Sequence, residues 1–138
     1  MLELIDFKEL KRPASPNTAL LAPAGFSSAS PDGAAPIYDI EPGELYLRVL
    51  HLIGERDDWQ LGAQDVGNLH VNFVAVTRLL RFKDDVDVIV LPAPGQPGKS
   101  TFAAYSRSRA GFSDLGTNRK RLEAFATALK APSIRAEL

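Results

Sequence analysis

Asp85-Val-Asp-Val-Ile-Val-Leu91, Pro92-Ala-Pro-Gly-Gln-Pro-Gly98 and Lys99-Ser-Thr-Phe-Ala-Ala-Tyr-Ser-Arg107 read in order as strand, turn and strand. The middle segment holds three prolines and two glycines in seven residues, a composition that neither a helix nor a strand interior accepts. A connection this short joins antiparallel neighbours, so the segment is a hairpin. Folding it about Gly95 sets Asp85 opposite Tyr105, Asp84 opposite Ser106 and Lys83 opposite Arg107, within two residues. That register brings Asp84 and Asp85 close to Arg107.

Upstream the same pattern repeats. Leu69–Thr77 is rich in β-branched residues, with Leu69, Val71, Phe73, Ala75 and Thr77 on one face. His70, Asn72, Val74, Val76 and Arg78 take the other. Trp59–Gln64 forms a further strand ahead of a turn at Asp65–Asn68. Leu45, Val49, Leu52 and Ile53 share one side of a helix over Pro42–Arg56, with Pro42 in its first turn and Glu41 and Glu44 at its positive end. A last helix begins at Thr117 or Asn118, buries Leu122, Phe125, Ala126 and Leu129, runs to Lys130 and stops at Pro132. The expected fold is α+β and two-layered: a four-stranded antiparallel meander flanked by two helices on one face.

Residues 1–41 stand apart from this core of 42–131. Prolines at 13, 16, 23, 31, 36 and 42 exclude a regular helix over Arg12–Pro42. Leu20, Leu21, Phe26, Ile37 and Tyr38 give the segment apolar anchors, so it reads as an extended arm packed on the domain.

The chain has 138 residues, 45% of them hydrophobic and 24% charged, enough for one globular domain with its own core. It has no cysteine, which removes disulfides and thiolate chemistry. No apolar run is long enough to span a membrane. Met1–Asp6 has no basic stretch leading into an apolar one, so no signal peptide is expected in these residues; the soluble part of an anchored protein would read the same way. The reading is of a soluble chain, cytoplasmic by default. The net charge of -1 conceals nine Lys/Arg against four Asp over residues 78–121, and five against eleven Asp/Glu over residues 1–77.

Chemistry concentrates between Ala104 and Arg121. Arg107 and Arg109 lie two apart and share a face if the strand persists. They adjoin a Gly-containing loop with Ser113 and the start of the last helix with Arg119. Guanidiniums beside backbone N–H groups and a helix N-terminus suit an anion, such as a phosphorylated small molecule or a lipid headgroup. Against this stands a structural network in which Asp84, Asp85 and Asp114 pair with those arginines or cap the helix. A hydrolase using Asp84, Asp85 or Asp114 with Ser106 or Ser113 is the alternative. His51 and His70 lie apart from those serines and read as ordinary surface or half-buried residues, and no Gly-x-Ser-x-Gly elbow occurs. No metal or cofactor is expected: two carboxylates lack a third ligand at suitable spacing, and dinucleotide and phosphate-loop motifs are absent. Nucleic acid is a poor fit to a pI of about 6.1 with Phe73, Phe82, Phe102 and Tyr105 spaced as core residues.

Ser15-Pro16-Asn17, Arg81-Phe-Lys-Asp-Asp85, Ser106-Arg107-Ser108 and Gly111-Phe-Ser-Asp-Leu-Gly116 followed by Asn118-Arg119 together resemble domain-of-unknown-function family 1499. The resemblance spans roughly Phe7 to Leu129. Thr18 stands where many members carry Cys, so no role of that thiol transfers. The resemblance implies a bacterial or plastid protein, many relatives of which are membrane-anchored or lipoproteins; it implies no activity. The leading expectation is a non-enzymatic binding or interaction domain for an anionic ligand or partner, through Arg107, Arg109, Ser113 and Arg119. A block serving only the fold is the remaining reading.

Overall fold

The computed structural model describes residues 3–111 and 113–130. The elements run in order as β1 (Thr18–Leu21), α1 (Pro42–Glu55), β2 (Trp59–Asp65), β3 (His70–Val76), β4 (Lys83–Pro92), β5 (Ser100–Ser108) and α2 (Thr117–Ala128). The strands form a five-stranded antiparallel sheet in the order β1-β5-β4-β3-β2. The meander β2–β5 is the expected one. The fifth strand is the correction: Thr18-Ala-Leu-Leu21 of the arm pairs with Ala104–Arg107 and covers the open edge of β5. That edge would otherwise present unpaired N–H and C=O groups. The stop expected at Pro132 lies outside the described residues.

The hairpin register differs from the expected one by two residues on one strand. Asp85 faces Arg107, and Asp87 faces Tyr105. A two-residue shift keeps every side chain on its face.

Both helices pack on one face. Val71, Phe73, Ala75, Val86, Val88, Val90, Phe102 and Ala104 meet Leu45, Val49 and Ile53 of α1 and Leu122, Phe125, Ala126 and Leu129 of α2. Phe102 stands edge-on to Phe125 at 5.4 Å, and Trp59 stacks on Phe73 at 4.5 Å. The opposite face is also covered. Phe7, Leu20, Ala22, Ala103 and Tyr105 form a second cluster with Ile5, Leu10, Phe26, Ile89 and Leu91, so the arm makes a third, irregular layer. Arg12 forks Asp32 within the arm, and Asp32 accepts from the Leu20 N–H. Tyr38 is buried, trades backbone hydrogen bonds with Ser100, and donates its hydroxyl to the Ala126 carbonyl at 2.8 Å. Burial pushes its phenol well above the ordinary value. Ile37 is exposed and anchors nothing, and Phe82, expected among the core aromatics, is exposed as well.

β2 carries an irregularity between Leu61 and Gln64, where the Ala63 N–H donates to Asn72 Oδ1. Gly62 makes this possible, because a Cβ there would collide with the Asn72 side chain.

Candidate functional site

β4 puts neighbouring carboxylates on opposite faces of the sheet. Asp85 and Asp87 point to the arm, and Asp84 points to the helices. All three are buried, with Asp84 2% and Asp87 0% exposed. Their surroundings differ.

On the arm face every oxygen of Asp87 is used. Oδ2 accepts from Arg107 Nη1 at 2.9 Å, while Oδ1 accepts from the Ile5 N–H at 3.2 Å and lies 3.1 Å from His70 Nε2. The Phe7 ring packs over His70 at 5.8 Å, and the Arg107 guanidinium lies 5.2 Å from the centre of the Tyr105 ring. Beside it Arg109 forks Asp85 through Nε and Nη2 at 2.8–3.1 Å. The bond to Asp85 raises the already high guanidinium pKa. These contacts tie β3, β4, β5 and the arm together.

On the helix face the hub is Asn118, fully buried at the start of α2. Its amide donates to the Asn17 carbonyl, to Ser108 Oγ and to Asp114 Oδ2 at 2.7–3.0 Å, while its oxygen accepts from Ser106 and Arg121. Asp114 caps the first turn of α2, accepting from the N–H groups of Gly116 and Asn118. Burial alone would raise the Asp114 carboxyl, but these hydrogen bonds from Asn118 and Gly116 outweigh it and hold the pKa below the ordinary value. Asn17 reaches across to donate to the Gly111 carbonyl at 2.8 Å. Arg121 leaves α2 to meet Asp84 Oδ2 at 2.9 Å. Asp84 Oδ1 is buried and has no hydrogen-bond partner among the described residues.

Asp84 lines a cleft of about 320 Å³, walled by the β3–β4 turn (Thr77, Leu79, Leu80, Phe82) and the β5–α2 loop (Ser108, Ser113, Asp114, Leu115). The turn is closed by Thr77: its carbonyl accepts from the Arg81 N–H and its hydroxyl from the Phe82 N–H. Arg81 (φ 59°) and Leu115 (φ 54°) both sit in the left-handed region that glycine prefers. On the other side of Thr77 and Thr117 a groove of about 370 Å³ has Trp59, Ala75 and Phe125 along it, with Arg56, Arg78, Lys120 and Arg121 among its lining residues.

The expected site residues therefore part company. Ser113 lines the Asp84 cleft. Arg107 pairs with Asp87 rather than with Asp84 or Asp85, because Asp87 shares its face two residues along. Arg109, expected to help hold an anion, is held by Asp85, and Arg119 pairs with Glu123 one turn along α2 at 3.0 Å. His70, read as ordinary, belongs to the Asp87 network. His51 lies exposed on α1 beside Glu55. No histidine lines the cleft, and no group of three metal-ligating side chains occurs among the described residues. No helix among them is long and apolar enough to cross a membrane. Sequence reasoning missed Asn118 as the hub. The signal was there in one respect: Asn17, Asp84, Ser106, Ser108, Asp114 and Asn118, scattered over a hundred residues, all belong to the quoted motif and converge here.

The family model described as "Protein of unknown function (DUF1499)" matches residues 11–129, and the chain belongs to that family. No curated protein matches it.

Proposed function

We propose, from the cleft, that the chain is a non-enzymatic binding domain whose ligand seats over Asp84. One observation carries this: the buried Asp84 lines an open cleft, and its Oδ1 has no hydrogen-bond partner among the described residues. Leaving such an acceptor unsatisfied costs about 1–3 kcal/mol, which a ligand N–H or O–H would recover. The volume is at the small end of ligand pockets. Leu80, Phe82 and Leu115 would hold an apolar body, and Ser108 and Ser113 supply further polar contacts. The ligand class is thus a small molecule or chain end with a hydrogen-bond donor, amine or amide, on an apolar stem.

The anionic reading, with its ligand on Arg107, Arg109, Ser113 and Arg119, is a second one. It is supported by the excess of cations over residues 78–121, but such a ligand must compete with Asp87, Asp85 and Glu123 for the three guanidiniums. A hydrolase reading draws least support. Ser106 is buried and bonded to Asn118 and Arg121, and Asp85 and Asp114 are already engaged, which leaves that reading Asp84 and Ser113, both lining the cleft, with no histidine there among the described residues to serve as base.

The test is an amide-resolved titration of labelled protein with benzylamine, hexanamide and hexanoate. Donor probes should shift residues 77–84 and 108–117, and Asp84→Asn should abolish those shifts. Shifts by hexanoate alone, centred on Arg109 and Arg119, would favour the anionic reading. Silence from every probe would remove both.

A further inference from the structure

We propose that the loops around the cleft dock this protein onto an anionic lipid bilayer. The β3–β4 turn reads Arg78-Leu-Leu-Arg-Phe-Lys83, cations interleaved with apolar side chains. Leu79 is 89% and Leu115 87% exposed, and Leu80 and Phe82 are more than half exposed. All four line one cleft, so they form a contiguous apolar tip rather than scattered surface residues. Around this tip Arg78, Arg81 and Lys83 have no carboxylate within 4.0 Å among the described residues. The nearby carboxylates are spent inside: Asp84 on Arg121, Asp85 on Arg109 and Asp114 on the start of α2.

Leucine in the left-handed conformation is uncommon, since glycine accepts it without cost. Leu115 holds that conformation while exposing nearly its whole side chain, which contributes little packing to the fold. A role outside the fold accounts for both.

Apolar side chains at a tip, ringed by long cations, match the chemistry of a bilayer interface. The leucines and phenylalanine enter the acyl boundary while Arg and Lys reach lipid phosphates. Charge decides against the other occupants. A second copy docked by the same patch would set Arg81 and Lys83 against their own equivalents, and lysine is depleted at the centres of protein interfaces. The tip shares Leu80, Phe82 and Leu115 with the wall of the cleft over Asp84, but the docking rests on the exposed leucines and cations and does not require a ligand on Asp84.

Vesicle co-sedimentation tests it, using phosphatidylcholine alone or mixed with phosphatidylglycerol. The wild-type chain should sediment with the anionic vesicles, and less so at high salt. Leu79→Asp with Leu80→Asp should reduce binding to the level on neutral vesicles. Arg81→Ala with Lys83→Ala should weaken it by about 25-fold, at roughly fivefold per cation. All four side chains are exposed, so circular dichroism and Tm should stay at wild-type values. Failure to sediment with anionic vesicles, or binding that the leucine variant retains, overturns the proposal. So does analytical ultracentrifugation showing a dimer that Leu79→Asp dissociates, since the occupant is then a second copy.

Discussion

Asp87 and Asp84 lie three residues apart on one strand, equally buried and each bound to an arginine, yet they end in opposite situations. Asp87 sits under the arm with both oxygens bonded to groups from three parts of the chain. Asp84 sits under the helix layer with one oxygen on Arg121 and the other without a partner among the described residues, and it lines a cleft. A buried ion pair alone therefore does not mark a functional site; the accounting of its remaining lone pairs does. The satisfied carboxylate ties the arm to the sheet, and the unsatisfied one is where the proposed ligand seats.

The largest effect should come from Asp87→Asn. It strips Arg107 of its charge partner and loosens the Ile5 contact that pins the arm, so denaturant unfolding should report a loss of about 3–5 kcal/mol. Limited proteolysis should then cut first within the arm. If stability falls by less than the same change at Asp84, the contrast between the two carboxylates collapses.

Asn118→Ala comes next. It removes the side chain joining Asn17, Ser106, Ser108 and Asp114, and leaves several of them buried and unpaired, a loss of about 2–4 kcal/mol. Asp84→Asn should cost less, about 1–3 kcal/mol, because only the Arg121 pair is lost and Oδ1 already lacks a partner among the described residues. Its chief effect belongs to binding.

The pH dependence sharpens the view of the loop wall. Asp114 has its folded pKa depressed, so its contribution to stability is full above the ordinary carboxylate value of 3.8 and is lost as pH falls through the lower folded value. Asp114→Asn should flatten the Tm profile in that acid range and leave it parallel to wild type above it. An unchanged acid limb would mean that the cap adds nothing. Phe82→Ser should have the smallest effect on folding, within about 0.5 kcal/mol, while weakening any ligand held in the cleft.

Much of this fold is legible from periodicity. The β2–β5 meander and both helices follow from alternation and from the Leu45 and Leu122 stripes. β1 is not, because four residues inside a proline-rich segment carry no period, and what makes them a strand is the bare edge of β5. The buried outer face is equally hidden. Alternation sends His70 and Asn72 outward correctly, but only the docked arm turns outward into inside. The register misses by two residues, which keeps the faces and misassigns the partner: Arg107 meets Asp87. The candidate site is half legible. The composition of Ala104–Arg121 locates the region, yet it draws the eye to arginines that carboxylates already hold. An unpartnered oxygen is a property of packing in three dimensions, and Asp84 looks no different from Asp85 along the chain.

The most direct test of the contrast is the benzylamine titration followed at the backbone amides of wild-type, Asp84→Asn and Asp87→Asn proteins, under conditions where all three remain folded. Saturable shifts confined to the two loops about Asp84, absent in Asp84→Asn and kept in Asp87→Asn, are the expected result. Shifts that survive in Asp84→Asn, or that centre on His70 and Arg107, would contradict it.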